Sequence, residues 1–133
     1  MTTVGAPARS KYDLEDRTLK FAKRVRIFAK KLPKSVGNAE DIPQLIRSSG
    51  SVAANYIEAN ESLGRKDFLM RVRICLKESK ESALWIGLCE TGGVMSINTE
   101  RDALYDEAKQ LVRIFSTILR NAERNASALN AVA

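Results

Sequence analysis

Residues 98–126, NTERDALYDEAKQLVRIFSTILRNAERNA, place Leu104, Ala108, Leu111, Phe115, Ile118, Leu119 and Ala122 at spacings of mostly three and four. That is the period of an α-helix with one face turned to a core, and it does not fit a strand. The opposite side holds Asp106, Lys109, Arg113, Thr117, Arg120 and Arg124, an ordinary solvated face. One helix is therefore expected from about Asn98 to near Ala126.

Three further segments repeat the pattern. The stretch from Asp67 to Glu90 is the third helix, with Asp67 as its N-cap and Gly92-Gly93 past its end. One of its stripes is Phe68, Val72, Cys75, Leu76, Ser79, Ala83, Ile86 and Cys89; a second, well around the helix, is Met70, Ile74, Leu84, Trp85 and Leu88. Two apolar stripes predict burial on two sides, one in the core and one against a subunit partner. The second helix is expected to open at Asp41, where Asp41 and Gln44 pair as in a capping box and Pro43 sits in the first turn. Ile42, Leu45, Ile46, Ser49, Val52, Ala53, Tyr56 and Ile57 share its face as far as about Glu61, and Ser48, Ser51, Ala54, Asn55 and Ala59 leave room for another helix on the other side. The first helix reads from Asp13 to Leu32 through Leu14, Phe21, Ala22, Val25, Phe28 and Ala29; Pro33 stops it, and Gly37 and Asn38 read as turn residues.

No segment alternates strictly, so the fold class is all-α. Four helices joined by short loops predict an antiparallel up-and-down four-helix bundle in a single domain. Residues 1–12 are expected as a flexible N-terminal segment, 13–126 as the bundle and 127–133 as a frayed C-terminal tail.

The 133 residues include no histidine and two cysteines. Triads, zinc sites and histidine-bearing di-iron sites are excluded on that ground, and no cofactor or metal is expected. Cys75 and Cys89 lie in one helix about 21 Å apart and cannot bridge within the chain; they read as reduced core thiols of a cytoplasmic protein. Neither a signal-peptide core nor a membrane span is visible.

The net charge of +6 has one source. Between Arg9 and Lys34 ten basic residues face only Asp13, Glu15 and Asp16, whereas the rest of the chain holds twelve basic and thirteen acidic residues. Arg17, Lys20, Lys23, Arg24, Arg26, Lys30, Lys31 and Lys34 cover the arc of the first helix left free by its apolar stripe. Such a strip keeps a surface soluble, or it attracts a polyanion such as nucleic acid, an anionic membrane surface or an acidic protein. Phe21 and Phe28 belong to the apolar stripe, so nucleic-acid binding would be led by the phosphate backbone and steeply salt-dependent. Leu19 and Ile27 interrupt the basic arc and are candidates, with Ile74, Trp85 and Leu88, for an oligomer interface.

The stretch Arg47-Ser48-Ser49-Gly50-Ser51-Val52-Ala53-Ala54-Asn55-Tyr56-Ile57-Glu58-Ala59 resembles the signature of the four-helix-bundle proteins encoded in intervening sequences of bacterial 23S ribosomal RNA genes. Arg73-Ile74-Cys75, followed by Ser79 and Glu81, is similar to that family's second block. Tyr56, Ala59 and Cys75-Leu76 depart from its usual pattern. The resemblance implies a cytoplasmic bacterial protein with a left-handed bundle, assembled as a homopentamer. Accessory proteins of diversity-generating retroelements are similar in fold, and their basic surfaces are thought to bind nucleic acid beside a reverse transcriptase. The family name records gene location. Carried onto this chain, the family's polar residues are Arg47, Ser51, Asn55, Glu58 and Glu81, read as a hydrogen-bonded network that sets helix or subunit register. The function expected is a non-catalytic scaffold, not an enzyme, with partners drawn from its own copies, RNA or DNA, and a reverse transcriptase or other protein, but no membrane. The alternative is a protein–protein adaptor with no nucleic-acid role.

Overall fold

The computed structural model describes the backbone of residues 11–132 and the side chains of residues 13–125. Four helices follow one another: α1 (Lys11–Lys31), α2 (Val36–Asn60), α3 (Arg65–Leu88) and α4 (Met95–Val132). Each packs on its chain neighbours and α4 closes back on α1, while the diagonal backbone pairs stay apart among the described residues. With short connections this is an up-and-down four-helix bundle. The α2–α3 seam is the broadest and the α1–α4 seam the narrowest. Phe21, Val25, Phe28, Leu45, Val52, Val72, Cys75, Ile86, Leu104, Leu111 and Phe115 fill the core. Tyr56 and Phe115 meet across it with ring centroids 5.8 Å apart.

The first residues of α2 correct the sequence reading. The helix starts at Val36 and not at Asp41, because Ser35, in extended conformation, is the N-cap and its Oγ accepts the Asn38 N–H at 3.0 Å. Pro43 is thus inside α2 and not in its first turn. It lies on an exposed face, so the Ala39 carbonyl that loses an intrahelical partner can meet water. Asn38 is a clasp and not a turn residue. Buried, it donates through Nδ2 to the Pro33 carbonyl (2.8 Å) and the Glu90 carbonyl (2.9 Å), and its Oδ1 accepts the Glu90 N–H at 2.9 Å. The α1–α2 connection is thereby tied to the end of α3.

Other ends move less. Gly64 is the N-cap of α3, so Asp67 stands inside the first turn, where its charge still favours the helix dipole. Gly92 and Gly93 take φ of +67° and +75°, a conformation that side chains resist, and let the chain turn into α4. That helix starts at Met95 and runs on past Ala126 to Val132. The expected N-terminal segment lies, through residue 10, outside the described residues, and Lys11 and Tyr12 already belong to α1. The side chains of the expected tail, 127–133, also lie outside them. No helix among the described residues is long and apolar enough to cross a membrane.

Candidate nucleic-acid interface

The basic residues of α1 divide into two sets according to what lies across from them. Arg17 Nε donates to Glu107 Oε2 at 2.7 Å, and its Nη2 donates to Glu107 Oε1 at 2.9 Å and Gln110 Oε1 at 2.8 Å. The hydrogen bond to Glu107 holds the Arg17 pKa above the ordinary arginine value. One heptad on, Arg24 reaches Glu100 at 3.9 Å. Arg17 and Arg24 are seven residues apart on α1, and Glu107 and Glu100 are seven apart on the antiparallel α4, so the two pairs are rungs of one ladder. The next rung would set Lys31 against Gly93, before α4 begins. Lys20 pairs with Asp16 of its own helix at 3.1 Å, an exposed pair worth little.

The remaining cations stand free of acids. Lys23, Arg26, Lys30, Lys31 and Lys34 are exposed and join no ion pair among the described residues, although Arg26 Nη1 donates to the Ala22 carbonyl at 3.2 Å and its guanidinium lies over Gly50. They occupy the C-terminal half of α1 and the loop after it. Lys30 and Lys31 also complement the dipole at that helix end. The basic surface is therefore shorter than the charge count alone suggests.

Among the expected interface residues, Leu19, Ile27 and Leu88 are exposed, while Ile74 and Trp85 are half-buried. Met70 and Leu84 extend the exposed apolar strip on α3. Asn60 donating to Glu15 at 2.6 Å, and Arg26 over Gly50, fix the register of α1 on α2 and set Leu19 level with exposed Ile57. Lys23 stands between Leu19 and Ile27 on the outward face. A subunit docked on those two residues would cover Lys23, whereas Lys31 and Lys34 lie beyond.

The family's polar residues gather on the α2–α3 seam, with one exception. Arg47 donates to Glu78 at 3.2 Å and to Glu81 at 2.9 Å, and the Ser51 hydroxyl donates to the same Glu78 oxygen at 3.2 Å. The Asn55 amide donates to the Ser51 carbonyl at 2.9 Å and to its Oγ at 3.0 Å, while Arg71 donates to Asn55 Oδ1 at 3.0 Å. Ser48 and Ser82 share a buried hydroxyl contact of 2.8 Å. Hydrogen bonding to Glu78 raises the Arg47 pKa. Glu58 is exposed and its side chain takes no part in this network; its backbone carbonyl accepts a hydrogen bond from the Ser62 hydroxyl. Glu78 and Arg71 were missing from the sequence reading, yet Glu78, 7% exposed, is the centre of the network. Its signal was position: it lies between the two apolar stripes of α3, where a carboxylate must find a partner.

The cysteines lie apart from both features. Cys75 and Cys89 are buried free thiols, and burial pushes their pKa up to about 12 and about 11. Among the described residues no three Cys, Asp or Glu side chains gather as a metal site would.

The family model of the 23S rRNA-intervening sequence protein matches residues 10–117, most of the chain and all of α1, α2 and α3. The chain belongs to that family. A crystal structure of a protein of unknown function from the S23 ribosomal protein family, from Bacteroides thetaiotaomicron, is similar to it with a TM-score of 0.67 at 24% identity, over 80% of this chain and 97% of that one. At that identity the likeness speaks for the fold. No curated protein matches.

Proposed function

We propose that this 23S rRNA-intervening sequence protein is a non-catalytic cytoplasmic scaffold that assembles with copies of itself and holds RNA or DNA through the cationic C-terminal half of α1. The observation that carries the reading is the set Lys23, Arg26, Lys30, Lys31 and Lys34, exposed and without acidic partners among the described residues. Cations so placed gain by neutralising phosphates and releasing counterions. Arg17 and Arg24 contribute to the fold instead. Assembly draws on the α3 strip of Met70, Ile74, Leu84, Trp85 and Leu88, with the family resemblance favouring a ring of five, while Leu19 and Ile27, which flank Lys23, stay on the cationic face outside that contact. The Arg47, Ser51, Asn55, Glu78 and Glu81 network serves register.

A gel-shift assay with the Lys23→Glu, Lys30→Glu, Lys31→Glu variant tests this: the wild type shifts RNA or DNA at about 50 mM salt and the variant does not. Equal binding by both proteins, or by neither, ends the reading. A protein adaptor is the second reading, favoured by Val36, Val94 and Met95, exposed together at the end of the bundle where the first and third connections meet. A stoichiometric protein partner recovered free of nucleic acid would support it.

A further inference from the structure

The free cations of α1 stand on a helix face, which is convex and rigid, with no aromatic side chain among them. Tyr105 is the only exposed aromatic among the described residues, and it packs beside Gly87 on the α3 side of α4, away from α1. Phe21 and Phe28 are buried beneath the cations, and Trp85 belongs to α3. Proteins that hold single strands track the backbone in a groove and stack successive bases on aromatic rings. This surface offers neither a ring nor a concave track along α1.

Building on the function proposed above, we infer that the cationic end of α1 selects double-helical nucleic acid over single strands, its ligand being the two phosphate rows that flank a groove. A duplex carries one charge per about 1.7 Å of axis and releases about 0.9 counterion per phosphate neutralised, against about 0.7 for a single strand. Each lysine therefore gains more from a duplex. Lys23 and Lys30 share the outward face and are separated by seven residues, about 10.5 Å along the helix. That distance is close to the width of a B-form major groove, about 12 Å, so two side chains on one line can reach its opposite walls. Ile27 lies exposed between them and offers no hydrogen bond to a base edge. The contact sets position without reading sequence.

Fluorescence anisotropy on the full chain tests this with labelled DNA and RNA duplexes of about 20 base pairs and the separate strands, at about 50 and 200 mM salt. Both duplexes, or one of them, should bind tighter than any single strand; which one binds identifies the source of the phosphates. One phosphate contact for each of the five free cations predicts a loss of about 500-fold across that fourfold change in salt. The Lys30→Gln, Lys31→Gln, Lys34→Gln variant should lose the duplex preference. Single strands binding as tightly as duplexes, or a preference that survives in the variant, overturns the inference and leaves the proposed function standing. No binding to any probe removes both.

Discussion

Two sets of cations share α1, and they differ in what α4 sets across from them. On the side turned to α4, Arg17 and Arg24 meet Glu107 and Glu100, one heptad apart on each helix. Beyond Arg24 the ladder runs out, because the residue opposite Lys31 falls in the Gly92-Gly93 turn, and on the outward side Lys23, Arg26 and Lys30 join no ion pair among the described residues. A run of like charge in a sequence is thus not yet a surface. It becomes one only where the neighbouring helix has ended or carries no acid.

The sharpest way to break this contrast is to reverse the free set. The Lys30→Glu, Lys31→Glu, Lys34→Glu variant should lose at least about 100-fold in nucleic-acid affinity near 50 mM salt, with its helical circular dichroism unchanged; a smaller loss erases the distinction between the free and the paired cations. Next in size is a cation that serves the fold. Arg47→Met leaves Glu78 buried with only Ser51 to pair it, and should cost about 2 kcal/mol in urea unfolding. Arg17→Met abandons the less buried Glu107 and should cost about 1 kcal/mol by the same measurement. Lys30→Met should stay within about 0.5 kcal/mol of the wild type, as an exposed lysine without an acidic partner would.

Near neutrality the thiols should have the smallest effect. Their folded pKa values are raised to about 12 for Cys75 and about 11 for Cys89, so the stability they confer is complete below the ordinary thiol value and is lost as pH rises through those values. Urea midpoints should be level between about pH 7 and 8 as far as the thiols are concerned. Both thiols should resist a thiol reagent until the protein unfolds.

Much of the fold was legible because it rests on periodicity. The stripe through Leu104, Leu111 and Phe115 and that through Val72, Cys75 and Ile86 are buried where their spacing put them. Helix ends were harder, since they depend on single contacts. Gly37 and Asn38 look like turn residues until Ser35 caps the helix and the Asn38 amide finds Pro33 and Glu90 across the end of the bundle. The same holds for the polar seam. Arg47, Ser51, Asn55 and Glu81 could be placed from the resemblance, but Glu78 and Arg71 could not, because their roles depend on which residues of α2 face α3. The basic surface was visible as charge and not as extent: pairing of Arg17 with Glu107 joins residues ninety positions apart.

The central claim is that the free cations of α1, and not the paired ones, hold nucleic acid. Its most direct test is the salt dependence of binding in two variants, Lys30→Gln with Lys31→Gln and Lys34→Gln, and Arg17→Gln with Arg24→Gln. The account predicts that the first flattens the slope of log affinity against log salt by about 0.9 per lysine for a duplex, while the second leaves the slope of the folded protein unchanged. An unchanged slope in the first variant, or a flattened one in the second, would contradict it.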